Sequence, residues 1–317
     1  MKTLVCGGAG FVGSTVVDRL IAHGHEVTVL DDLSSGRLVN LEQARREQRI
    51  GFHRFDVRSD AVRDVISHAR PDVVLHLAAQ VSVPVSVGRP LLDANTNVVG
   101  LLNVLDACAA AGVGKVVYAA TAAMYGPQRK LPIPESARAR PASPHGIASR
   151  AACDYLRFYA EHHDLDFTAL VLSNVYGPRQ RFDAETGVVA AMAAALSAGR
   201  APSIHGTGLA TRDFVYVDDV AHAFVLACER GSGEVVNIST GIETTVNRLH
   251  RMVAEVTGAS VEPVHGPARP GDLLALSLDP SRAATVLGWE PWTPLGDGLR
   301  STVAWVRTEL KASGEIG

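Results

Sequence analysis

The residues best placed to do chemistry come at the start of the chain. GGAGFVG puts glycines at 7, 10 and 13, and Asp31 closes the next apolar run. Glycines at this spacing suit a turn that passes close to a ligand. Gly7 permits the tight turn, Gly10 lets the main chain approach a pyrophosphate, and Gly13 lets a helix pack close to a strand. The helix N-terminus then directs free N–H groups at the phosphates. A glycine triplet alone is a weak sign; here it falls between a strand pattern and a helix pattern. A carboxylate at 31 accepts hydrogen bonds from the adenosine ribose hydroxyls and repels a 2′-phosphate, so NAD is expected rather than NADP. Asp32 beside it either touches the same ribose or caps the following loop. Other reactive residue types form no comparable constellation. Cys6, Cys108, Cys153 and Cys228 lack C-x-x-C spacing and read as buried thiols of a reducing compartment. His162 and His163 are adjacent rather than one helical turn apart, and His76 reads as a core histidine, so no metal site is expected.

These residues need a scaffold, and the first half of the chain supplies its pattern. Apolar runs at 3–8, 26–32, 50–57, 72–79, 115–120 and 167–173 alternate with helical patterns at 14–24, 40–49, 60–69, 91–111 and 146–163. Continuous apolar strands alternating with helices predict an α/β fold, a Rossmann-like doubly wound parallel sheet covered on both faces. After Asn174 glycine and proline become frequent, and helical stretches at 187–199 and 245–258 are separated by loops. That texture predicts a domain over 1–173, with returns from about 214–240, and a smaller mixed α/β domain over 174–317, interleaved with it. The 317 residues are 47% hydrophobic and 20% charged with net charge -3, enough apolar content for a sizeable core. There is no basic field for nucleic acid or an anionic membrane. No apolar run is long enough to span a bilayer, and MKTLVCGGAG enters a strand at once, so a cytoplasmic protein is expected.

Nine motifs in order, GGAGFVGS, DDLSSGR, FDVR, HLAAQ, NTNVVG, TAAMYG, NVYGPRQ, TRDFVYVDDVA and ARPGD, cover nearly the whole chain. Together they resemble the extended short-chain dehydrogenase/reductases, specifically the nucleotide-sugar epimerases and dehydratases, and most closely the UDP-glucose 4-epimerase branch. The resemblance implies roles by position. Phe11 and Val12 of the glycine loop, and Ser35 and Gly36 of DDLSSGR, would border the cofactor. Asp56 and Val57 would lie along the adenine, and Leu77, Ala78, Ala79 and Gln80 beneath the phosphates and ribose. Asn97 would support the active-site strand. Asn174, Arg212 and Arg269 would hold the substrate's diphosphate, Asp272 a nucleotide ribose hydroxyl, and Val189 would line the same site. Guanidinium is the best fork for a diphosphate, which suits both arginines.

The resemblance also implies a catalytic set that this chain alters. The family's base is a tyrosinate, made basic by a lysine one helical turn later and assisted by a Ser or Thr from the preceding strand end. Thr121 stands at the Ser/Thr position. Ala122 and Ala123 follow where dehydratases carry an acidic pair, which argues against 4,6-dehydration. In PASPHGIASR, the family pattern P-x-S-P-Y-G-x-S-K places His145 at the tyrosine and Ser149 at the lysine. Three readings follow. Histidine, titrating at about 6.5, needs no neighbouring cation to act as a base, whereas tyrosine at about 10 does; His145 could take the proton while Thr121 orients the hydroxyl and Ser149 keeps a weak ribose contact. A shifted register could bring Arg150 to the ribose. Or catalysis is lost, and the protein binds NAD and a nucleotide sugar without turning it over.

Leu276, after ARPGD, lies near the position that in these epimerases governs room for a 2-acetamido group, and leucine decides neither way. The resemblance favours UDP over dTDP on the sugar, and a homodimer through the helices near 91–111 and 146–163. The expected activity is NAD-dependent 4-epimerisation of a UDP-hexose through a transient 4-keto sugar. The alternatives are a nucleotide-4-ketosugar reductase or oxidase, or a catalytically silent nucleotide-sugar-binding protein.

Overall fold

The computed structural model describes residues 1–47, 50–182, 187–268 and 273–316. Its strands are β1 Lys2–Cys6, β2 Glu26–Leu30, β3 Ile50–His53, β4 Val73–His76, β5 Lys115–Thr121, β6 Asp166–Leu172, β7 Asn174–Tyr176, β8 Ser203–His205, β9 Thr211–Tyr216, β10 Glu234–Ile238, β11 Glu243–Thr245 and β12 Val264–Gly266. The α-helices are α1 Phe11–Ala22, α2 Glu42–Arg46, α3 Ala61–Ala69, α4 Val83–Gly88, α5 Pro90–Ala94, α6 Gly100–Ala111, α7 Pro144–His162, α8 Val188–Ser197, α9 Val217–Ala227, α10 Val246–Thr257, α11 Ser281–Val286 and α12 Leu295–Ala312. None of them is long and apolar enough to cross a membrane.

Seven strands form one parallel sheet in the order β10-β6-β5-β4-β1-β2-β3. Because side chains alternate along a strand, each strand feeds two cores. Leu4 and Cys6 of β1 and Val74 of β4 join one cluster with Leu101, Leu105 and Leu156 of α6 and α7. Val5, Val73 and Leu75 join the other, with Val16, Val17 and Leu20 of α1 and Phe224 of α9. All four cysteines are free and buried, and burial pushes the thiols of Cys6, Cys153 and Cys228 up to about 12.

The remaining elements build a smaller layer. β11, β9 and β7 make one short sheet and β12 pairs with β8, while α8, α10 and α12 enclose a third core around Tyr176, Phe214, Leu249 and Val306. The chain returns to the large sheet through α9 and β10, inside the 214–240 stretch, and again at α11. There Ala283, Leu287 and Trp289 are buried against the main core, a return whose short helix left no clear sequence pattern. β3 ends earlier than its apolar run, stopping at His53 and leaving Asp56 and Val57 in the turn beyond it.

The two layers are fastened by Asp213 of β9. Its buried carboxylate accepts from the amide of Thr240 at 2.9 Å, the hydroxyl of Thr240 at 2.6 Å, the amide of Gly241 at 2.9 Å and the amide of Leu278 at 3.3 Å. One side chain thereby anchors the loop after β10 and the segment entering α11. Removing it strips several N–H groups of their acceptor at once. Asp213→Ala is therefore expected to lower the unfolding free energy by about 3 kcal/mol, with Asp213→Asn falling between it and the parent, as read by chemical denaturation.

Candidate active site

The strand order reverses beside β1, whose neighbours β2 and β4 lead to opposite sides of the sheet, and ligands bind such sheets at this crevice. Two loops meet there, residues 7–10 after β1 and 77–80 after β4. Gly7 has φ +79°, and a Cβ on it would lie 2.7 Å from the amide nitrogen of Ala78. A Cβ on Gly13 would lie 2.1 Å from the carbonyl oxygen of Gly7. Neither position accepts a side chain. Gly10 caps α1 without a side-chain hydrogen bond, which leaves the first amides of the helix, at Phe11 and Val12, for a phosphate. The cradle thus fits a dinucleotide pyrophosphate.

Asp31, at the end of β2, is only 6% exposed. Its carboxylate accepts the amide of Ala9 at 2.9 Å and that of Leu33 at 2.8 Å, and burial raises its pKa against those bonds. It shapes the glycine loop while keeping further lone pairs for ribose hydroxyls. Gly36 abuts it: a Cβ there would meet Asp31 Oδ1 at 2.8 Å. Asp32 caps its own loop, accepting from the amide of Ser34 at 2.8 Å and its hydroxyl at 2.6 Å, and Ser35 lies exposed beyond. Asp56 is paired with Arg58, whose hydrogen bonds hold its carboxyl below the usual range. Val57 is expected along the adenine beside Asp56. It is buried in the core against Gly100, and its carbonyl accepts from Asn103 at 2.7 Å.

The stretch that carries His145 and Ser149 is positioned by helix capping. Ser143 caps α7, its hydroxyl accepting the amide of Gly146 at 3.2 Å, with Pro144 in the first turn. This puts His145 at the positive end of the helix. A Cβ on Gly146 would sit 2.4 Å from the carbonyl oxygen of Ala123, so the first turn of α7 lies directly on the segment after Thr121. His145 is largely buried, its side chain 12% exposed. Burial lowers its pKa, while the Asp93 carboxylate and a hydrogen bond to the Gln80 backbone oppose that shift. Its Nδ1 lies 3.9 Å from Asp93 Oδ1 and 3.5 Å from Asn97 Nδ2. Thr121 accepts the amide of Ala123 at 3.3 Å, leaving its hydroxyl proton to donate.

Ser149 does not reach the cofactor side as expected. It is buried, its Oγ accepts the amide of Thr121 at 3.1 Å, and it hydrogen-bonds the phenol of Tyr118. A side chain that short on the inner face of α7 extends only to β5, where it braces Thr121 from behind. Arg150 is on the outer surface, bound to Asp154 by two contacts of 3.1 Å, with Arg157 also on Asp154 at 2.9 Å. Neighbouring helical residues diverge by about 100°, which carries Arg150 away from His145 and removes the shifted-register reading. Tyr125 donates to Asn237 at 2.8 Å and is a buried structural phenol. His76, stacked on Tyr118, is pushed down to about 4 by burial and stays neutral.

On the substrate side, Asn174 opens β7 opposite Phe214 of β9, two residues from Arg212. The Arg212 guanidinium donates from Nη1 to the carbonyl oxygens of Thr211 and Leu273, each at 2.8 Å, tying β9 to the segment that follows the ARPGD motif. Arg269 and Asp272 lie outside the described residues. Val189 and Leu276 are buried, Val189 in the third core and Leu276 in the core cluster that holds Tyr125 and Ile133. Leu77, Ala78 and Ala79 form the strap between the glycine loop and Gln80. Gln80 and Asn97 are locked together: the Gln80 amide donates to Asn97 Oδ1 at 2.8 Å, and Asn97 Nδ2 donates to the Gln80 carbonyl at 2.9 Å. Sequence reasoning missed Asp93. The signal was there in LLDANTN, an acid one helical turn before Asn97.

Comparison with known proteins agrees with this geometry. Residues 3–239 match the family model described as NAD dependent epimerase/dehydratase family. The chain is 44% identical to the UDP-glucose 4-epimerase of Mycolicibacterium smegmatis over 98% of this chain and 99% of that one. Among solved structures, the UDP-glucose 4-epimerase of Thermotoga maritima with UDP-glucose superposes with a TM-score of 0.94 at 43% identity, covering 98% and 100% of the two chains. The Thermus thermophilus UDP-glucose 4-epimerase in complex with NAD gives 0.91 at 38% identity, covering 97% and 99%. A glycine cradle and an acid at the end of the second strand, on a fold matched over the full span of these relatives, make this chain a member of the NAD dependent epimerase/dehydratase family.

Proposed function

We propose that this protein is an NAD-dependent UDP-hexose 4-epimerase in which His145 is the acid–base group. The observation that carries the proposal is the environment of His145, largely buried in the first turn of α7 where it lies on the segment after Thr121, with burial lowering the imidazole's pKa and favouring its neutral form. The positive end of α7 works in the same direction, disfavouring the imidazolium until a proton arrives from substrate. A tyrosine would need a nearby lysine to ionise; a histidine does not, so the serine at 149 is consistent with a histidine at 145.

When bound, NAD supplies reversible two-electron oxidation at C4 of the sugar. His145 takes the proton of the 4-hydroxyl, Thr121 hydrogen-bonds the same oxygen, and the 4-keto sugar turns to present its other face before His145 returns the proton. Arg212, and Arg269 and Asn174 by family position, hold the diphosphate as the fixed end about which the sugar turns. Asp31 favours the unphosphorylated adenosine ribose. UDP is favoured over dTDP because relatives at 44% and 43% identity are UDP-glucose 4-epimerases.

The proposal includes a cytoplasmic homodimer. Ile147, Tyr155 and Phe158 form an apolar stripe on α7 with exposures of 55%, 39% and 47%, close to Val99 before α6, at 50%. Such a stripe on a helix at the protein surface suits a self-complementary two-fold contact.

Proton NMR of the protein with NAD and UDP-glucose or UDP-galactose, following the anomeric signals, should show conversion to the C4 epimer. His145→Ala should lower kcat by roughly 10²- to 10⁴-fold. Undiminished turnover in that variant would remove His145 from the mechanism; no turnover in the parent, with UDP-sugar binding intact, would leave a silent binding protein. Gly13→Ala, whose Cβ meets a fixed carbonyl at 2.1 Å, should emerge from desalting without the NAD that the parent retains, as measured by chromatography of the denatured supernatant.

A further inference from the structure

Asp93 of α5 is fully buried, and Oδ2 of its carboxylate has no hydrogen-bond partner among the described residues. Its Oδ1 accepts from Gln80 Nε2 at 2.8 Å and from Asn97 Nδ2 at 3.1 Å. No lysine or arginine is paired with it among the described residues. Among the described residues its ion-pair contact is with the imidazole of His145, at 3.9 Å. A buried carboxylate without a cationic partner is costly, and its retention beside a titratable ring calls for a reason.

Counting hydrogens around the ring supplies one. The orientation of the Asn97 amide is fixed, because its Oδ1 accepts the Gln80 amide at 2.8 Å. Its Nδ2 has two hydrogens, and both are spent: one on the Gln80 carbonyl at 2.9 Å, one on Asp93 Oδ1 at 3.1 Å. Nothing remains for His145 Nδ1, which Asn97 Nδ2 approaches only to 3.5 Å. What Nδ1 faces besides is an acceptor, the Asp93 carboxylate, with Oδ1 at 3.9 Å. Nδ1 must therefore carry the proton, and Nε2 is left with a lone pair. Resting on the reading of His145 as the acid–base group, we propose that Asp93 is its positioning residue: through Gln80 and Asn97 it holds the imidazole in the Nδ1–H tautomer and offsets the charge the ring acquires on taking a substrate proton. No covalent step is involved. The proton passes from the sugar hydroxyl to Nε2 and back, and Asp93 takes no proton from the ring. An anion behind the base thus takes the place of the cation that a tyrosinate would need beside it.

Around this ring the relevant groups are Asp93 from α5, Gln80 from the 77–80 strap and Asn97 from the π-helical turn Asn95–Val99. Tyr118 of β5 also feels Asp93 and is held protonated chiefly by burial.

The test is Asp93→Asn in the NAD-loaded protein, which removes the charge and preserves the size. kcat should fall by about 10- to 100-fold, with KM for the UDP-sugar unchanged. The rising limb of the pH profile of kcat/KM, which marks deprotonation of His145, should move to lower pH, because loss of the anion disfavours the imidazolium. A purely structural Asp93 would leave that limb in place. Histidine ¹⁵N NMR of the parent, with the His145 signals identified by their absence in His145→Gln, should show a protonated Nδ1 and an unprotonated Nε2 above the titration. The opposite tautomer overturns the proposal even if Asp93→Asn fails to fold. An unmoved limb in a folded Asp93→Asn also overturns it. Full activity in His145→Ala would instead sink the acid–base reading, while the tautomer measurement would still report on Asp93 separately.

Discussion

The constraint on which the site depends is the approach of two backbones, Gly7 to Ala78, with no room for a single Cβ between them. That contact sets the loop after β1 against the loop after β4 at the point where the sheet changes direction. Everything that could handle a ligand hangs from it. On one side, Gly13 seats α1 over the carbonyl of Gly7, and Asp31 reaches under to the amide of Ala9. On the other, two residues beyond Ala78, Gln80 is clasped by Asn97 through both its amide and its carbonyl and by Asp93 through its side chain. The phosphate cradle and the imidazole are therefore held by one short strap, so their relative placement is a property of backbone packing rather than of flexible side chains.

The altered pair at 145 and 149 is intelligible in these terms. A lysine is a long side chain whose charge must be directed into the site. Ser149 instead ends inside, bracing the amide of Thr121 at 3.1 Å. Its loss of reach is matched at 145 by an imidazole, a side chain that needs no neighbouring cation to be basic, with the buried Asp93 carboxylate 3.9 Å away.

Most of the framework was legible in the amino-acid order. Continuous apolar runs on strands, broken by amphipathic helices, have one common solution, and the glycine spacing states where the backbone must turn tightly. The parts that were not legible have physical reasons. Val57 and Leu276 are apolar residues next to expected ligand positions, and an apolar residue alone does not say whether it faces a pocket or a core; both turn out to be buried. Ser149 needed the location of its neighbours before its hydroxyl could be assigned to Thr121. Asp93 is an ordinary acid in a helical stretch until the fold buries it against His145. The return of α11 to the large sheet rests on Ala283, Leu287 and Trp289, three positions too few to form a pattern.

The last strand of the large sheet, β10, comes from residue 234 onward, long after the chain has left that sheet at Leu172. A polypeptide emerging from the ribosome has thus completed its glycine loop, its strap and α7 while β6 is still an open edge. Along that edge the apolar stretch FTALVL offers unpaired amides and carbonyls to any neighbouring chain. During synthesis the protein is most exposed to intermolecular strand pairing in the interval between β6 and β10, and a fragment ending near residue 173 would carry that exposed edge permanently.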